Sequence, residues 1–344
     1  MRANIKDVAK EAGVSITTVS RVINNNYPVK KETREKIEEV IKRLSYKPNE
    51  VARSLILKKS SVIEVIVPGI TNLFFPTIVE AIEGVLKKNG YSIFLSNTAG
   101  DSTFEKKLIN EALSKQVDGI IIMDPSLENM ENGYFASVSA NIPFVIVNGA
   151  PYDNNCNYVS YNEETGTKEA LTYLYELGHR NIVLLRGTNS YSYDIKEALY
   201  LSFMKEKNIT VKILKVGGGN SIEVVEKATK AAQKLLNSDK EITAFFACND
   251  LMAHGVLNAA SRLNKKIPDD LSLISCDNTI LASISKPKFT SIDMDMANVG
   301  DVASRELLNI IRDEIVDKKN VLLETKLLIR ESCKDINGGK NGEI

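Results

Sequence analysis

Near the start of the chain, four polar side chains that can form hydrogen bonds lie close together: Thr17, Thr18, Ser20 and Arg21. Hydroxyl groups and an arginine on one exposed helix face can bond to phosphates and to the edges of bases. They can do so only if a helix holds them outside its packed stripe. The chemistry of this segment therefore predicts a helix that reads DNA, provided that its neighbours supply the packing.

The neighbouring residues supply that packing in two short stretches with helical spacing. The apolar positions are Ile5, Val8 and Ala9 in the first stretch and Val19, Val22 and Ile23 in the second. Gly13 provides a turn with positive φ between them, while Asn4 with Asp7, and then Ser15, provide N-caps. The pattern predicts a helix-turn-helix. The alternative is a surface helical hairpin, which has no need for this outer face.

Charge is distributed unevenly along a chain that is neutral as a whole. The 344 residues carry 44 basic and 44 acidic side chains, yet residues 1 to 60 hold an excess of seven positive charges and the remainder an equal negative excess. A basic head on an acidic body directs the head towards phosphates. The charge pattern therefore favours a nucleic-acid partner for the head alone.

Other residue types predict little chemistry. The four cysteines lack C-x-x-C spacing and are expected to be buried thiols, and the two histidines are too few and too far apart for a metal site. Neither a signal peptide nor an apolar span of membrane length is present, so we expect a cytoplasmic protein. No metal and no cofactor is expected.

Beyond the first two helices, the pattern predicts a three-helix head, a short linker helix and an α/β body. The helix Thr33 to Leu44 completes the head, and the two turns after Pro48 are too short to persist alone. From Ser61 onward, buried strand-like runs alternate with amphipathic segments, and this pattern occurs twice. We expect two doubly wound lobes, followed by a helix at Asp295 to Ile315 and a strand at Val321 to Ile329.

Several segments together resemble the LacI/GalR family of bacterial transcription regulators, from Ile5 to about Ser332. They are Ile5-Lys6-Asp7-Val8-Ala9, Val14-Ser15, Thr18-Val19-Ser20-Arg21-Val22, Tyr46-Lys47-Pro48-Asn49, Ala52-Arg53-Ser54-Leu55, Val117-Asp118-Gly119-Ile120-Ile121, Gly178-His179-Arg180-Asn181-Ile182, Asn249-Asp250-Leu251-Met252-Ala253, Ile267-Pro268 and Asp277-Asn278. Each is weak alone, but their order and separations are specific.

The resemblance implies an all-α helix-turn-helix headpiece and an α/β core like a periplasmic binding protein, with two doubly wound parallel-sheet lobes. The expected parts are the headpiece 1–48, a hinge helix and linker 49–61, the core 62–334 and a disordered tail 335–344. The first lobe is expected at 62–160 plus 293–320, and the second at 162–290 plus 321–332. The family's fold also implies a homodimer.

For DNA, the resemblance implies base contacts by Thr17, Thr18 and Arg21, since arginine can grip guanine and threonine can contact thymine. Phosphate contacts are expected from Ser15, Asn25, Tyr46 and Asn49. In the hinge helix, the resemblance implies a place for Arg53 at the DNA and for Leu55 as a minor-groove wedge. Ile16 departs from the small hydroxyl residue common in the family.

For the cleft between the lobes, the resemblance points to an effector site that includes the loop Ser190 to Ile195. Its expected members are Phe74, Phe75, Tyr161, Tyr193, Asn249 and Asp277. A carboxylate, a carboxamide and aromatic rings suit a sugar or sugar derivative. The chain departs from the family at Leu199 to Phe203, at Tyr161 and at Ser275-Cys276, and these departures predict a more aromatic pocket. The tyrosines could instead cover the lobe surface.

The resulting hypothesis is a repressor whose operator affinity is set by a small effector. A non-sugar effector or a protein corepressor remains an alternative, and a cytoplasmic solute-binding protein is a further one. An enzyme is not supported, because Gly217-Gly218-Gly219 is a bare triplet and no phosphate-binding loop motif occurs. A secreted receptor would not need the basic head, and a DNA-bending protein would not need a two-lobed cleft.

Overall fold

A computed structural model describes residues 3–25, 27–46, 59–149, 155–314 and 320–337. The chain divides into two compact units, Met1–Ser60 and Ser61–Ile344. The hinge-helix prediction, with Asn49, Arg53 and Leu55, lies outside the described residues. Within the described residues, no helix is long and apolar enough to cross a membrane.

Within the described residues of the first unit, 3–25 and 27–46, three helices pack around a small apolar core. They are α1 (Ile5–Ala12), α2 (Ile16–Asn24) and α3 (Lys31–Arg43). Its fully buried side chains include Val8, Val19 and Ile37, one from each helix. The apolar stripes predicted from the sequence therefore close on one another, and the helix-turn-helix prediction is confirmed.

The second unit contains two six-stranded sheets, and the first lies in a lobe built mainly from the earlier half of the core. Its strands are β1 (Val62–Val67), β2 (Ser92–Asn97), β3 (Gly119–Met123), β4 (Phe144–Val147), β5 (Asn157–Tyr161) and β11 (Asn320–Leu323). They pair in the order β11-β5-β4-β3-β1-β2, and every pair is parallel. The helices of this lobe are α4 (Phe74–Lys88), α5 (Ser102–Ser114), α6 (Leu127–Glu131), α7 (Tyr134–Ser139) and α13 (Met296–Ile311).

The second lobe repeats this architecture with one antiparallel edge strand. Its strands are β6 (Ile182–Arg186), β7 (Ile213–Lys215), β8 (Ala244–Ala247), β9 (Ser272–Asp277), β10 (Thr290–Asp293) and β12 (Lys326–Leu328), in the order β12-β10-β9-β8-β6-β7. Only β12 runs antiparallel to its neighbour. The helices are α8 (Glu163–Glu176), α9 (Tyr191–Glu206), α10 (Val224–Ser238), α11 (Asp250–Arg262) and α12 (Ile280–Ile284). Central strands such as β6 and β8 are buried along their whole length, as parallel sheets covered on both faces require.

The chain passes between the lobes three times, and the last passage differs from the prediction. The predicted strand Val321 to Ile329 is two strands, β11 in the first sheet and β12 in the second. The turn between them is fixed by Thr325, whose hydroxyl donates to the carbonyl of Asn162 at 2.7 Å and accepts from the amide of Gly166 at 3.0 Å. Residues 321–323 therefore belong to the first lobe, not to the second as predicted, and β10 keeps residues 291–293 in the second.

The predicted disordered tail from residue 335 also begins too early. The backbone amide of Ile336 donates to the carbonyl of Leu177 at 2.9 Å, and the side-chain amide of Asn337 donates to the backbone carbonyl of Glu176 at 2.7 Å. These bonds satisfy carbonyl groups at the end of α8 that have no partner within the helix. The remainder of the tail prediction, residues 338–344, lies outside the described residues.

Candidate functional site

The turn of the first unit is held by the caps predicted from the sequence. The Asn4 side chain accepts from the amides of Lys6 and Asp7, and the Asp7 carboxylate accepts from the amide of Asn4 at 2.8 Å. Gly13 ends α1 with φ of 67°, and the Ser15 hydroxyl accepts from the amide of Thr18 at 3.1 Å. These local bonds fix where α2 begins and therefore which of its side chains face outward.

The outward face of α2 presents Thr17 and Arg21 to solvent, as predicted. Thr18 is half-buried, and its hydroxyl lies 2.8 Å from that of Ser15. The guanidinium of Arg21 lies 5.0 Å from the ring centroid of Tyr27, which is 62 % exposed. The sequence analysis did not single out Tyr27, although an exposed aromatic residue just after an exposed arginine is a usable signal.

Two other residues predicted to contact phosphates, Asn25 and Tyr46, differ in their exposure and their partners. Asn25 ends α2 in the left-handed conformation and its side-chain oxygen accepts from Arg34 at 3.0 Å. Tyr46 is half-buried, and burial raises the pKa of its hydroxyl. Ile16 is 44 % exposed at the first position of α2.

In the second unit, the carboxyl ends of strands from both sheets meet at a cavity between the lobes. We call it the inter-lobe cavity. It is lined by Asn72, Phe74, Phe75, Asp124, Asn148, Tyr161, Ser190, Ser192, Tyr193, Asn220, Cys248, Asn249 and Asp277. All six predicted effector residues are in this set. Its volume is about 20 Å³, which is room for about one water molecule, so the lobes are closed on one another.

The closed arrangement depends on polar contacts between the lobes that the sequence analysis did not find. Asp124, which follows β3, accepts from the hydroxyl of Ser190 at 3.0 Å and from the side-chain amide of Asn220 at 3.4 Å. The hydroxyl of Thr71 accepts from the amide of Ile222 at 3.0 Å. These residues come from loops that follow different strands, so no short sequence pattern could have revealed them.

Close backbone contact accompanies these bonds at Gly69. A Cβ atom at this position would lie 2.2 Å from the carbonyl oxygen of Asn220 on the other lobe. That separation is far below any van der Waals contact, and the obstructing atom is backbone. Glycine is therefore required at residue 69 for the lobes to close this far.

Asp277 ends β9 with an unusual backbone and without a charge partner. Its φ is 93°, a conformation that costs a non-glycine residue of order 1–3 kcal/mol and is typical of functional sites. The residue is buried and forms no ion pair within the described part of the chain. Burial, and then the negative charge of Asp250, raise the pKa of Asp277 well above its usual range.

Asn249 lines the same cavity, but its carboxamide is already fully used. Its oxygen accepts from the amide of Met252 at 2.8 Å and caps α11. Its nitrogen donates to the hydroxyl of Tyr193 at 3.2 Å and to the carbonyl of Gly219 at 2.9 Å. Asn249 therefore positions Tyr193 and the Gly219 loop as parts of the cavity wall.

Aromatic rings form much of the remaining wall. The Phe74 ring lies edge-on to Phe75, with centroids 5.2 Å apart, and to Tyr161 at 5.9 Å. Burial raises the pKa of Tyr161 and of Tyr193 well above the usual range, so both hydroxyls stay protonated. Tyr191, in contrast, is half-buried and packs against the first lobe. Tyr193 therefore lines the cavity, and Tyr191 does not.

Beneath this wall lies a buried ion pair that the sequence analysis missed. The ammonium of Lys196 is 2.6 Å from a carboxylate oxygen of Glu163, and it donates to the hydroxyl of Ser192 at 2.5 Å. Ser192 also donates to Glu163. Burial lowers the pKa of Lys196, but the charge of Glu163 outweighs it and holds that pKa above its usual value. The available signal was the separation of four residues between Ser192 and Lys196, which puts both on one helix face.

The expectation of buried thiols holds for three of the four cysteines. Cys156, Cys248 and Cys276 are buried, Cys333 is half-buried, and all four are free of disulfides. Burial raises the pKa of the Cys248 thiol to about 12 although it lines the cavity. This thiol is therefore a neutral wall group and not a nucleophile.

Comparison with known proteins covers nearly the whole chain. The family profile described as "Bacterial regulatory proteins, lacI family" matches residues 4–49, and "Periplasmic binding protein-like domain" matches residues 171–333. Catabolite control protein A of Priestia megaterium is 35% identical over 338 residues, which are 97% of this chain and 100% of that protein. The ribose operon repressor of Halalkalibacterium halodurans is 33% identical over 341 residues, 98% of each chain. The crystal structure of the lac repressor dimer bound to operator and the anti-inducer ONPF has a TM-score of 0.85 at 27% identity, covering 97% of this chain and 100% of that one.

Proposed function

This chain belongs to the lacI family of bacterial regulatory proteins, and on that premise we propose that it is a dimeric transcriptional repressor whose operator affinity responds to a small effector. One observation carries the proposal. A helix-turn-helix that exposes Thr17 and Arg21 shares its chain with a two-lobed unit whose lobes bond across a cavity through Asp124 and Ser190. No enzymatic step is proposed, since the relatives are named as regulators. The place of action is the cytoplasm, where operator DNA lies.

The DNA contacts follow from the exposed face of α2. Arg21 reads a guanine, and Thr17 and Thr18 contact neighbouring bases. Ser15, Asn25 and Tyr46 bind phosphates and set the register. In the linker, the family resemblance supports a phosphate contact by Asn49, a DNA contact by Arg53 and a minor-groove wedge at Leu55.

Effector binding would act through the inter-lobe cavity. A ligand that enters it must replace or rearrange the bonds between Asp124 and its partners on the second lobe, because the closed cavity holds only about 20 Å³. The angle between the lobes then depends on the ligand. Coupling of this kind commonly changes affinity at a second site by ~1–3 kcal/mol. Asp277, Tyr161, Tyr193 and the Phe74–Phe75 pair form the recognition surface, and a sugar or sugar derivative fits their chemistry.

The experiment is selection of bound sequences from a random pool of duplexes by the full chain, followed by footprinting. We expect a pseudo-palindrome of roughly 14 to 18 base pairs, because two recognition helices must enter successive major grooves. Arg21→Ala should weaken binding by ~1–3 kcal/mol and relax the choice at one base pair in each half-site.

The matched control for this variant is Lys31→Ala, which removes the same charge from α3 instead of α2. It should weaken binding much less and leave the selected sequence unchanged. Recovery of a single asymmetric half-site, or identical selected sequences for Arg21→Ala and the unmodified protein, would contradict the proposal.

A further inference from the structure

The charged groups that line the inter-lobe cavity are two aspartates, one from each lobe. Asp124 follows β3 of the first lobe and Asp277 ends β9 of the second. No lysine, arginine or histidine among the described residues lines it. The lining therefore has two acidic side chains and carries no basic side chain that could neutralise an anionic ligand.

Three basic side chains that lie close to lining residues each have other partners. Lys196 is paired with Glu163. Arg330 donates to the side chain of Asn278 at 2.6 Å and to the carbonyl of Phe289 at 2.7 Å.

The third cation, Arg186, approaches the wall from behind. Its guanidinium is 5.9 Å from the ring centroid of Tyr193, while its nitrogens bond to Asp194 at 2.6 Å, to Glu197 and to the carbonyl of Gly187 at 2.8 Å. Each nearby cation thus has its own anion or carbonyl partners. None of them lines the cavity, and only Lys196 favours the charged forms of Asp124 and Asp277, from a distance.

Closing two carboxylates into a space of about 20 Å³ is unfavourable when both are charged. Burial raises the pKa of both groups, to about 7 for Asp124, and the charge of Asp250 raises the pKa of Asp277 further. The charge of Lys196 lowers both pKa values, and the charge of Glu163 opposes it with a smaller effect. The unfavourable energy is removed when a ligand supplies the missing positive charge. The electron-rich faces of Phe74 and Tyr161 are also favourable neighbours for a cation.

We propose that the effector carries a protonated amine, which is held between the Asp124 and Asp277 carboxylates while the rest of the ligand packs on the aromatic wall. This inference rests on the proposed function, because it takes the inter-lobe cavity as the effector site. If the effector is a sugar, the proposal requires an amino sugar with a free amine. It excludes phosphorylated and acidic sugars, whose charge would meet two carboxylates of the same sign.

The test compares ligands that differ only in the amine. The full chain is titrated calorimetrically with glucosamine, galactosamine and mannosamine, each against its neutral parent sugar and its N-acetyl derivative. Putrescine serves as an amine without a sugar ring. We expect at least one free amine to bind about tenfold or more tightly than both of its neutral counterparts. If putrescine binds more tightly than every amino sugar, the result supports recognition of an amine and contradicts a sugar as the rest of the effector.

Variants locate the charge that is recognised. Asp124→Asn and Asp277→Asn keep size and polarity but remove one charge each, and each should abolish the preference for the amine over its neutral parent. Asp301→Asn is the control, since Asp301 lies on α13 and is paired with Arg305. A retained preference in both cavity variants would overturn the proposal.

The outcomes separate this inference from the function on which it rests. Binding of a neutral sugar as tightly as its amine, with release of operator DNA, overturns the amine and leaves the regulator intact. Absence of a preferred amine throughout the panel also overturns it. Binding of an amine by a chain that selects no DNA sequence supports the inference and contradicts the proposed function.

Discussion

The substitution Asp124→Asn should stabilise the protein without ligand at pH 8. In the folded chain the pKa of Asp124 is raised from 3.8 to about 7, chiefly by burial. A folded pKa above the unfolded value means that the folded state holds the proton more tightly, so stability from this group falls as pH rises from about 4 to about 7. A difference of about three pKa units between the folded and unfolded states lowers the free energy of unfolding by about 4 kcal/mol at pH values above 7.

The net gain will be smaller than this limit. Asp124 is only half-buried, so solvent reduces the energetic penalty of its charge. In addition, the new side-chain NH₂ group in place of Oδ2 would face the side-chain nitrogen of Asn220 across 3.4 Å, and that hydrogen bond would be lost. The bond from Ser190 can be kept by the remaining oxygen. We therefore expect a gain of about 1–3 kcal/mol at pH 8 and none at pH 4.

The assay is urea unfolding of the full chain at pH values from 4 to 8 without ligand, followed by circular dichroism. The unmodified protein should lose stability relative to Asp124→Asn across pH 4 to 7. Asp301→Asn should instead lower the stability by a small amount that is nearly constant from pH 4 to 8, because pairing with Arg305 holds the pKa of Asp301 below its usual value of 3.8 and this favourable contribution is lost only at lower pH. Parallel pH profiles for Asp124→Asn and the unmodified protein would refute the reasoning.

Two further predictions concern the cavity and its support. Gly69→Ala should prevent full closure of the lobes, because the added Cβ would lie 2.2 Å from the carbonyl oxygen of Asn220. Small-angle scattering should then show a larger radius of gyration. Gly84→Ala is the control and should leave the radius unchanged, because a Cβ at residue 84 meets nothing within 4 Å. Lys196→Met should cost about 3–5 kcal/mol in urea unfolding, because it leaves Glu163 buried without its cation, and adding Glu163→Gln should recover much of the loss. Equal radii in the first case, or no recovery in the second, would contradict these predictions.

The headpiece could be predicted from the sequence because its determinants are local. The cap at Asn4, the turn at Gly13 and the cap at Ser15 lie within twelve residues, and each acts on backbone groups nearby. The two sheets followed from strand-like runs that are buried on both faces. These features need no knowledge of distant contacts.

The parts of the fold and of the cavity that the sequence did not predict depend on contacts between distant segments. Residues 321 to 329 read as one strand, since apolar residues do not indicate which sheet they join, and the break is set by the hydroxyl of Thr325. Asp277 was found through family resemblance, whereas Asp124 was missed because its partners Ser190 and Asn220 are 66 and 96 residues away. Polar contacts of this kind carry no periodic signal.

The three passages between the lobes have a mechanical consequence. They lie side by side: the amide of Asn162 donates to the carbonyl of Leu323 at 2.7 Å, and Asp293 pairs in register with Lys326. Segments joined in this way resist sliding and separation, so the motion left to the lobes is a rotation about one axis. The distance from this axis then sets how far any residue travels. A small change of angle at the cavity becomes a proportionally larger displacement at the far end of each lobe.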